Sequence, residues 1–543
     1  MPHLSKWRPA VASGLLISVA FPKIGLSGLA WIALVPLLAG LRGVSGGQAF
    51  RLGVMTGLAH YLSLLYWVVI TMRTYGYLPW WQCISLLVLL AAYLSLYPGI
   101  FAFVLTRYCR RPVHLLWLAP VFWVALEYLR SFMLTGFPWG ILGYSQVNRL
   151  HIIQISDMFG VYGVSFVVIL TNAAVYLVLL YANRKSWQGE QLDKRQIMAT
   201  ILLALTVIAG VLAYGNIRMR TIDAALKGAE SVRVALVQGN IDQAHKWDPA
   251  YQIGSTKKYL ELTRAAAGHE PELVVWPETA TPFYFDQSPK LTRLVKDTVR
   301  QAGVNLLVGS PSIHGAPDDY AYYNSAFMVS SGGVTTSRYD KVHLVPFGEY
   351  VPLKRLLFFV GKMVAQVGDF SPGEKGRTLS WDSSAPLVGV QICFEIIFPG
   401  LSRSLVQNGA GILVNLTNDA WFKRSGAAYQ HFQMAVFRAV ENRRSLVRCA
   451  NTGISGFVDP SGRVITRSEL FEDAVIVQTV PVLERLPLYT RMGDIMPLIC
   501  LLLMIGALLR DNAYVRKMTN RGPMTAVMRN IKQTVGRMAD KRR

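Results

Sequence analysis

The sequence predicts a bundle of eight membrane-crossing helices joined to a layered α/β domain on one side of the bilayer. Three observations carry that expectation. Hydrophobic residues make up 52% of the 543 and charged ones only 16%, outside the balance of an ordinary soluble chain. Eight apolar runs stand at or near the roughly 20 residues that cross a bilayer as a helix. Between the seventh and the eighth, short β-rich segments alternate with helical ones over a stretch of different composition.

The runs fall at 9–22, 25–41, 52–71, 84–106, 113–129, 155–182, 197–214 and 495–509, the first short and the last borderline. Their connections alternate in charge. Lys6 and Arg8 precede the first, and Arg42 and Arg51 separate the second from the third. Arg107, Arg110 and Arg111 follow the fourth; Arg184, Lys185, Lys194 and Arg195 separate the sixth from the seventh. The alternate connections carry only one or two basic residues, such as Lys23, Arg73, Arg130 and Arg149. The positive-inside bias then places both termini in the cytoplasm and the α/β segment on the far side. The expected division is 1–215 for the first seven helices, 216–490 for the α/β domain, 491–510 for the eighth helix and 511–543 for a basic cytoplasmic tail. The formal charge of +23 belongs to these flanks and that tail, so no nucleic-acid partner is expected. Five cysteines lie far apart without metal-ligand spacing, which indicates neither a metal centre nor a disulfide scaffold.

Inside the α/β segment, strands are expected at Val232–Gln238, Leu273–Trp276, Asn305–Gly309, Ser325–Ser330, Leu387–Ile392, Gly411–Leu416, Ser445–Cys449 and Ala474–Val480. Helices are expected at Ser288–Ala302 and Ala427–Arg444, and Asp459-Pro-Ser-Gly462 reads as a hairpin turn. The run ending in Gln391-Ile-Cys393-Phe-Glu395 delivers a thiol to a strand tip, with the Phe394 N–H directly after it as an oxyanion donor. Leu273-Val-Val-Trp-Pro-Glu278 ends a strand with a carboxylate in the same manner, and Tyr339-Asp-Lys341 sets a cation after a strand and turn. Each has a plain structural reading: a buried small residue, a helix cap, an exposed lysine. Together they supply what acyl transfer through a thioester needs. Glu278 takes the thiol proton, Cys393 attacks the acyl carbon, and Lys341 with the Phe394 N–H meets the oxyanion. A nearby cation is also expected to favour the thiolate. No cofactor is called for. His431 could serve as a Cys–His base but reads better as a surface or capping residue. Cys449 could pair with Cys393 in an oxidising compartment, against which the triad favours a free Cys393; Glu127 reads as a carboxylate near the membrane interface or in need of a polar partner.

Val274-Val-Trp-Pro-Glu278, Tyr339-Asp-Lys341 and Gln391-Ile-Cys393-Phe-Glu395 resemble the nitrilase superfamily. With membrane runs on both sides, Leu236-Val-Gln-Gly-Asn-Ile241, His343-Leu-Val-Pro-Phe-Gly-Glu-Tyr350, Leu416-Thr-Asn-Asp-Ala-Trp-Phe422 and Gly136-Phe-Pro-Trp-Gly140 make the chain similar to the apolipoprotein N-acyltransferase family. The resemblance implies an αββα sandwich carrying the triad, seated on eight helices of the bacterial inner membrane and facing the periplasm. It implies a phospholipid acyl donor, phosphatidylethanolamine, and as acceptor the α-amine of a diacylglyceryl-cysteine apolipoprotein. It marks Glu349 and Glu395 as supporting carboxylates and Trp247 as a loop tryptophan after the first strand. Phe394 stands where some members carry tyrosine, so its N–H remains while a phenolic hydroxyl is absent. Trp247, Phe358, Phe359 and Trp421 are the expected substrate contacts, with Leu356–Val364 a candidate gate and Gly361 or, more weakly, Gly348 its hinge. A monomer is expected. Two other readings use the same features: a membrane-tethered amidase, which leaves eight crossings without a purpose, and a transporter, against which the runs hold few ionisable residues.

Overall fold

A computed structural model describes residues 6–244, 246–315, 319–351 and 369–519, the last nine of these by their backbone. Phe358, Phe359 and the candidate gate at Leu356–Val364 lie outside the described residues. The apolar runs fold as helices, and packing divides them more finely than hydropathy does. Among the described residues, four helices are long and apolar enough to cross a membrane: Trp80–Tyr108, Pro112–Arg130, Ser156–Ala182 and Lys194–Leu226. Gly46–Leu64 and Trp67–Tyr75 make a fifth if the pair, bent by 50°, is counted as one span. The first run is a 13-residue helix, Trp7–Val19, and the second divides into a 3-10 turn at Ser27–Trp31 and a short helix at Val35–Gly40. Ile495–Arg510 is the apolar part of the last helix. Close approach replaces the hydrophobic effect as the cohesive force between such helices. A Cβ on Gly53 would stand 2.1 Å from the Pro98 carbonyl oxygen, so the helices Gly46–Leu64 and Trp80–Tyr108 touch backbone to backbone. On Lys194–Leu226 the side chains of Leu202, Leu205 and Ile217 are more than half exposed, an apolar surface suited to lipid.

Among the described residues, the α/β part has eleven strands: β1 Ser231–Gln238, β2 Leu273–Val275, β3 Asn305–His314, β4 Ala321–Val329, β5 Thr335–Asp340, β6 Val388–Ile392, β7 Ile412–Thr417, β8 Ser445–Ala450, β9 Gly456–Val458, β10 Val464–Arg467 and β11 Ala474–Pro481. They form a six-stranded sheet in the order β11-β1-β2-β3-β4-β5 and a five-stranded sheet in the order β10-β9-β8-β7-β6. Period-two alternation decides which face goes where. Val234 and Leu236 of β1 join Val390, Ile392 and Val414 in the core between the sheets. Ala235 and Val237 point the other way, to Tyr259 and Val299 on the helices Pro249–Ala267 and Pro289–Ala302. On the far face of the second sheet, Leu413 and Leu446 pack on Leu405 of helix Pro399–Gln407 and Val436 of helix Gly426–Asn442. The layers are α, β, β, α.

That outer helix layer shares one continuous core with the membrane helices. Arg443, just past helix Gly426–Asn442, gives Asp157 two bonds of 2.7 and 3.0 Å, and Glu441 accepts the Val161 N–H at 3.0 Å. Each expected strand lies on an observed one, with ends shifted by up to five residues; β3 is longer because it continues as a hairpin with β4. The helices Pro249–Ala267 and Pro399–Gln407 and the strand β5 are additions. The turn at Asp459–Gly462 does join β9 to β10, Asp459 Oδ1 accepting the N–H of Ser461 and Arg463.

Candidate active site

β6 ends at Ile392, and the next residue turns the chain. Cys393 has φ +53°, a left-handed conformation rare for a residue with a Cβ, and it opens a 3-10 turn through Ile397. Glu395 holds that turn. Its carboxylate accepts the N–H of Ile392 at 2.6 Å, the N–H of Val342 at 2.6 Å, the N–H of His343 at 3.0 Å and the Tyr339 hydroxyl at 2.9 Å. One fully buried side chain thus ties the turn at Cys393 to the loop after β5 that carries Lys341. Burial pushes the Glu395 carboxyl up to about 7, against the pull of the backbone N–H groups.

Lys341 is buried, with its Nζ 2.9 Å from Glu349 Oε1 and 3.6 Å from Glu278 Oε1. Asn324 of β4 bridges the two carboxylates, donating to Glu278 Oε1 at 2.8 Å and to Glu349 Oε1 at 3.1 Å. Glu278 Oε2 accepts the Asn418 N–H at 2.9 Å, and Glu349 Oε2 accepts the Val345 N–H at 2.8 Å. Burial works against the Lys341 charge, but Glu349 and then Glu278 outweigh it and hold the ammonium above its ordinary range. The thiol behaves otherwise than the sequence suggests. Burial, and next the Glu278 charge, push Cys393 well above the usual thiol range; Lys341 opposes them without prevailing. Cys393 is thus held toward the neutral thiol, a form that needs a base before it can attack.

Glu278, Lys341, Cys393, Glu349, Phe394 and Glu395 are thus brought to one place. The Phe394 ring, partly buried, packs edge-on to Phe398 at 5.4 Å. Trp247 is half-buried on the loop after β1. Trp421 lies at the seam with the membrane part: its ring meets Tyr75 at 4.8 Å and its carbonyl accepts the Thr71 hydroxyl at 2.9 Å. Several residues had no local signal in the sequence. Lys246, 2% exposed, donates to the Glu278 carbonyl at 3.2 Å, and burial pushes its ammonium down to about 8. His431 is fully buried rather than a surface or capping residue, because helix Gly426–Asn442 is covered by the sheet on one side and by membrane helices on the other. Its Nε2 lies 3.2 Å from the Cys393 carbonyl, and its Nδ1 faces Asp419 and Arg448, each at 3.0 Å. Glu127 is buried too, accepting the Leu142 N–H at 2.8 Å. Cys449 is a free, buried thiol 3.2 Å from the Val275 carbonyl, and the five cysteines carry no disulfide. A cleft of about 790 Å³ opens beside the Lys341 loop, lined among others by His343, Leu344 and Phe398 and by Tyr128, Phe132 and Pro138 of the membrane part.

Residues 13–174 match the family model of the apolipoprotein N-acyltransferase N-terminal domain, and residues 233–485 match that of carbon-nitrogen hydrolases. A relative from Geobacter metallireducens named apolipoprotein N-acyltransferase is 44% identical over 492 residues, 90% of this chain and 92% of its own. The chain belongs to the apolipoprotein N-acyltransferase family. A relative of the same name from Methylococcus capsulatus is 32% identical over 489 residues, 89% of this chain and 92% of its own. Among solved structures, the Saccharomyces cerevisiae protein Nit3, a member of branch 10 of the nitrilase superfamily, is 20% identical with a TM-score of 0.36, covering 46% of this chain and 90% of that one. The family's two parts meet along the layer described above, where helix Gly426–Asn442 packs on Ser156–Ala182.

Proposed function

We propose that this chain moves an acyl chain from a phospholipid, through a thioester on Cys393, to the α-amine of a diacylglyceryl-cysteine apolipoprotein. The observation that carries the reading is the buried cluster of Glu278, Lys341 and Glu349 beside the left-handed Cys393, in a chain of this family. Glu278 takes the thiol proton as sulfur attacks the ester carbonyl, and Lys341 Nζ with the Phe394 N–H holds the oxyanion. As the tetrahedral intermediate collapses, the C–O bond to the glycerol breaks and Glu278 returns the proton to the leaving alkoxide. In the second half the amine attacks the thioester, Glu278 takes its proton, the C–S bond breaks and the proton passes to the departing sulfur. One site serves both halves, so the scheme is ping-pong. Holding the thioester between halves requires that water be kept away, and the apolar walls of the cleft by Phe398 and Phe132 suit that task.

The donor in this reading is phosphatidylethanolamine, and one chain supplies every group of the site, so the enzyme works as a monomer. Trp247, Trp421, Phe358 and Phe359 are its proposed substrate contacts. The division at 1–215, 216–490, 491–510 and 511–543 is retained, with eight crossings of the inner membrane, both termini cytoplasmic and the α/β domain periplasmic. The basic connections support this orientation. An impermeant thiol label should reach S331C from the periplasm and K185C only after the membrane is opened; reaction of both from one side removes the topology. The chemistry is tested by incubating the protein with phospholipid alone and weighing the Cys393 peptide. A peptide heavier by one acyl chain, released on adding apolipoprotein, is expected. An unmodified peptide together with undiminished turnover would mean direct transfer between the two lipids.

A further inference from the structure

His431 stands apart from the groups that exchange protons or bind the oxyanion, yet it touches the nucleophile residue itself. Its Nε2 lies 3.2 Å from the Cys393 carbonyl oxygen. A carbonyl only accepts, so Nε2 carries the proton. At Nδ1, Arg448 Nη2 at 3.0 Å can only donate, which suits an unprotonated nitrogen. Asp419 Oδ1 faces the same Nδ1 at 3.0 Å, while Asp419 also takes Arg448 Nη2 at 2.8 Å and the Thr417 hydroxyl at 3.0 Å. The Cys393 carbonyl thus keeps a proton on Nε2 whichever way Nδ1 is shared; burial and then the Arg448 charge lower the imidazole's proton affinity, and the Asp419 carboxylate opposes them. The ring is also held flat. Trp139 of the membrane part stacks on it at 5.8 Å and 23°, with its own Nε1 donating to Gln430 at 2.7 Å and its carbonyl accepting Arg130 Nη1 at 2.6 Å.

The Cys393 carbonyl and the Phe394 N–H are the two ends of one planar trans peptide, pointing in opposite directions. We propose that His431 is a positioning residue for acyl transfer: by bonding the Cys393 carbonyl it aims and polarises the Phe394 N–H that receives the oxyanion. The hydrogen bonds run in one line, from the Asp419–Arg448 pair through the imidazole and the peptide to the oxyanion. Each strengthens the next in a site shielded from water. The left-handed Cys393 gives the peptide a reason to need such a hold, because a residue with a Cβ does not stay at φ +53° unaided. The membrane part enters the catalytic geometry through Trp139, which fixes the plane of the ring. This inference rests on Cys393 and the Phe394 N–H acting as proposed above.

The test compares H431F, which keeps a ring and loses the donor, with H431Q, which offers an amide N–H in its place. Full-length protein in lipid nanodiscs is measured for acyl-Cys393 formation from phospholipid, for kcat and KM, and for alkylation of Cys393 by iodoacetamide. Alkylation uses the thiol but no oxyanion site. H431F should acylate about 10- to 100-fold more slowly, somewhat less than the loss of a whole oxyanion donor, with the fall in kcat rather than KM. Its alkylation rate should stay within about twofold, since no charge has been removed, and H431Q should recover most of the acylation. Acylation by H431F near the wild-type rate, or alkylation falling in step with acylation, overturns the proposal. Should H431F not accumulate, H431Q against H431N, with the same amide on a shorter arm, makes the same comparison. A wild-type enzyme that never acylates Cys393 defeats the underlying reading instead.

Discussion

Replacing Lys341 with methionine removes one charge from between two others. In the folded protein its Nζ sits 2.9 Å from Glu349 and 3.6 Å from Glu278, and all three side chains are largely buried. Both carboxylates also bond Asn324 Nδ2, at 2.8 and 3.1 Å. Their oxygens are therefore no more than about 6 Å apart, and at an effective dielectric of about 20 two bare charges repel by about 3 kcal/mol. K341M should lose about that much stability, a fall in Tm on the order of 10 °C for a domain of this size. It should also lose an oxyanion partner, about 100- to 1,000-fold in acylation rate. The two losses are separable. K341M with E349Q removes the repulsion and should regain most of the Tm while the acylation rate stays low. Melting in detergent gives the first quantity, and the mass of the Cys393 peptide over time gives the second. Acylation by K341M within tenfold of wild type removes Lys341 from the chemistry. A double variant that melts no higher than K341M shows the buried charges were not the cost.

Two further outcomes follow from the same site. Burial and then the Glu278 charge hold the Cys393 thiol high, so E278Q should relieve that charge and alkylate no slower than about wild type at high pH while acyl transfer at neutral pH is lost; acyl transfer retained by E278Q would refute Glu278 as base. The Lys246 ammonium, pushed by burial to about 8, lies below the ordinary lysine value of about 10.4. Between those values the folded chain binds fewer protons than the unfolded one, so stability should rise with pH from about 8 to about 10. K246M should flatten that rise and be more stable at pH 7 by about 2 kcal/mol, the gain in desolvation less one hydrogen bond; a wild-type profile flat across the window contradicts a buried cation there.

Glu278 and Cys393 stood out in the sequence because each follows an apolar strand, where a local pattern alone delivers a side chain to one place, whereas Lys341 follows the polar β5 and stood out by its Tyr-Asp-Lys motif. The same β-rich runs made the strands legible, and the charge alternation of the connections supplied an orientation. Other parts had no such signal. Asn324, Asn418 and Lys246 look like any polar residue in a strand or loop until the fold sets them against Glu278, 32 to 140 residues away in the chain. His431 reads as exposed because its helix is polar enough for a surface; two layers cover it, and only their packing turns the imidazole to the Cys393 carbonyl. The thiol's protonation went the same way. A neighbouring lysine predicts a thiolate, but the cost of burying charge exceeds one ammonium's help, and burial is a property of the assembled protein. In the membrane part, hydropathy determined which segments are apolar, and tertiary packing decided where they break. The second run divides and the third bends by 50° at Leu65–Tyr66, because side chains and glycines must fit neighbouring helices, a constraint that composition does not carry.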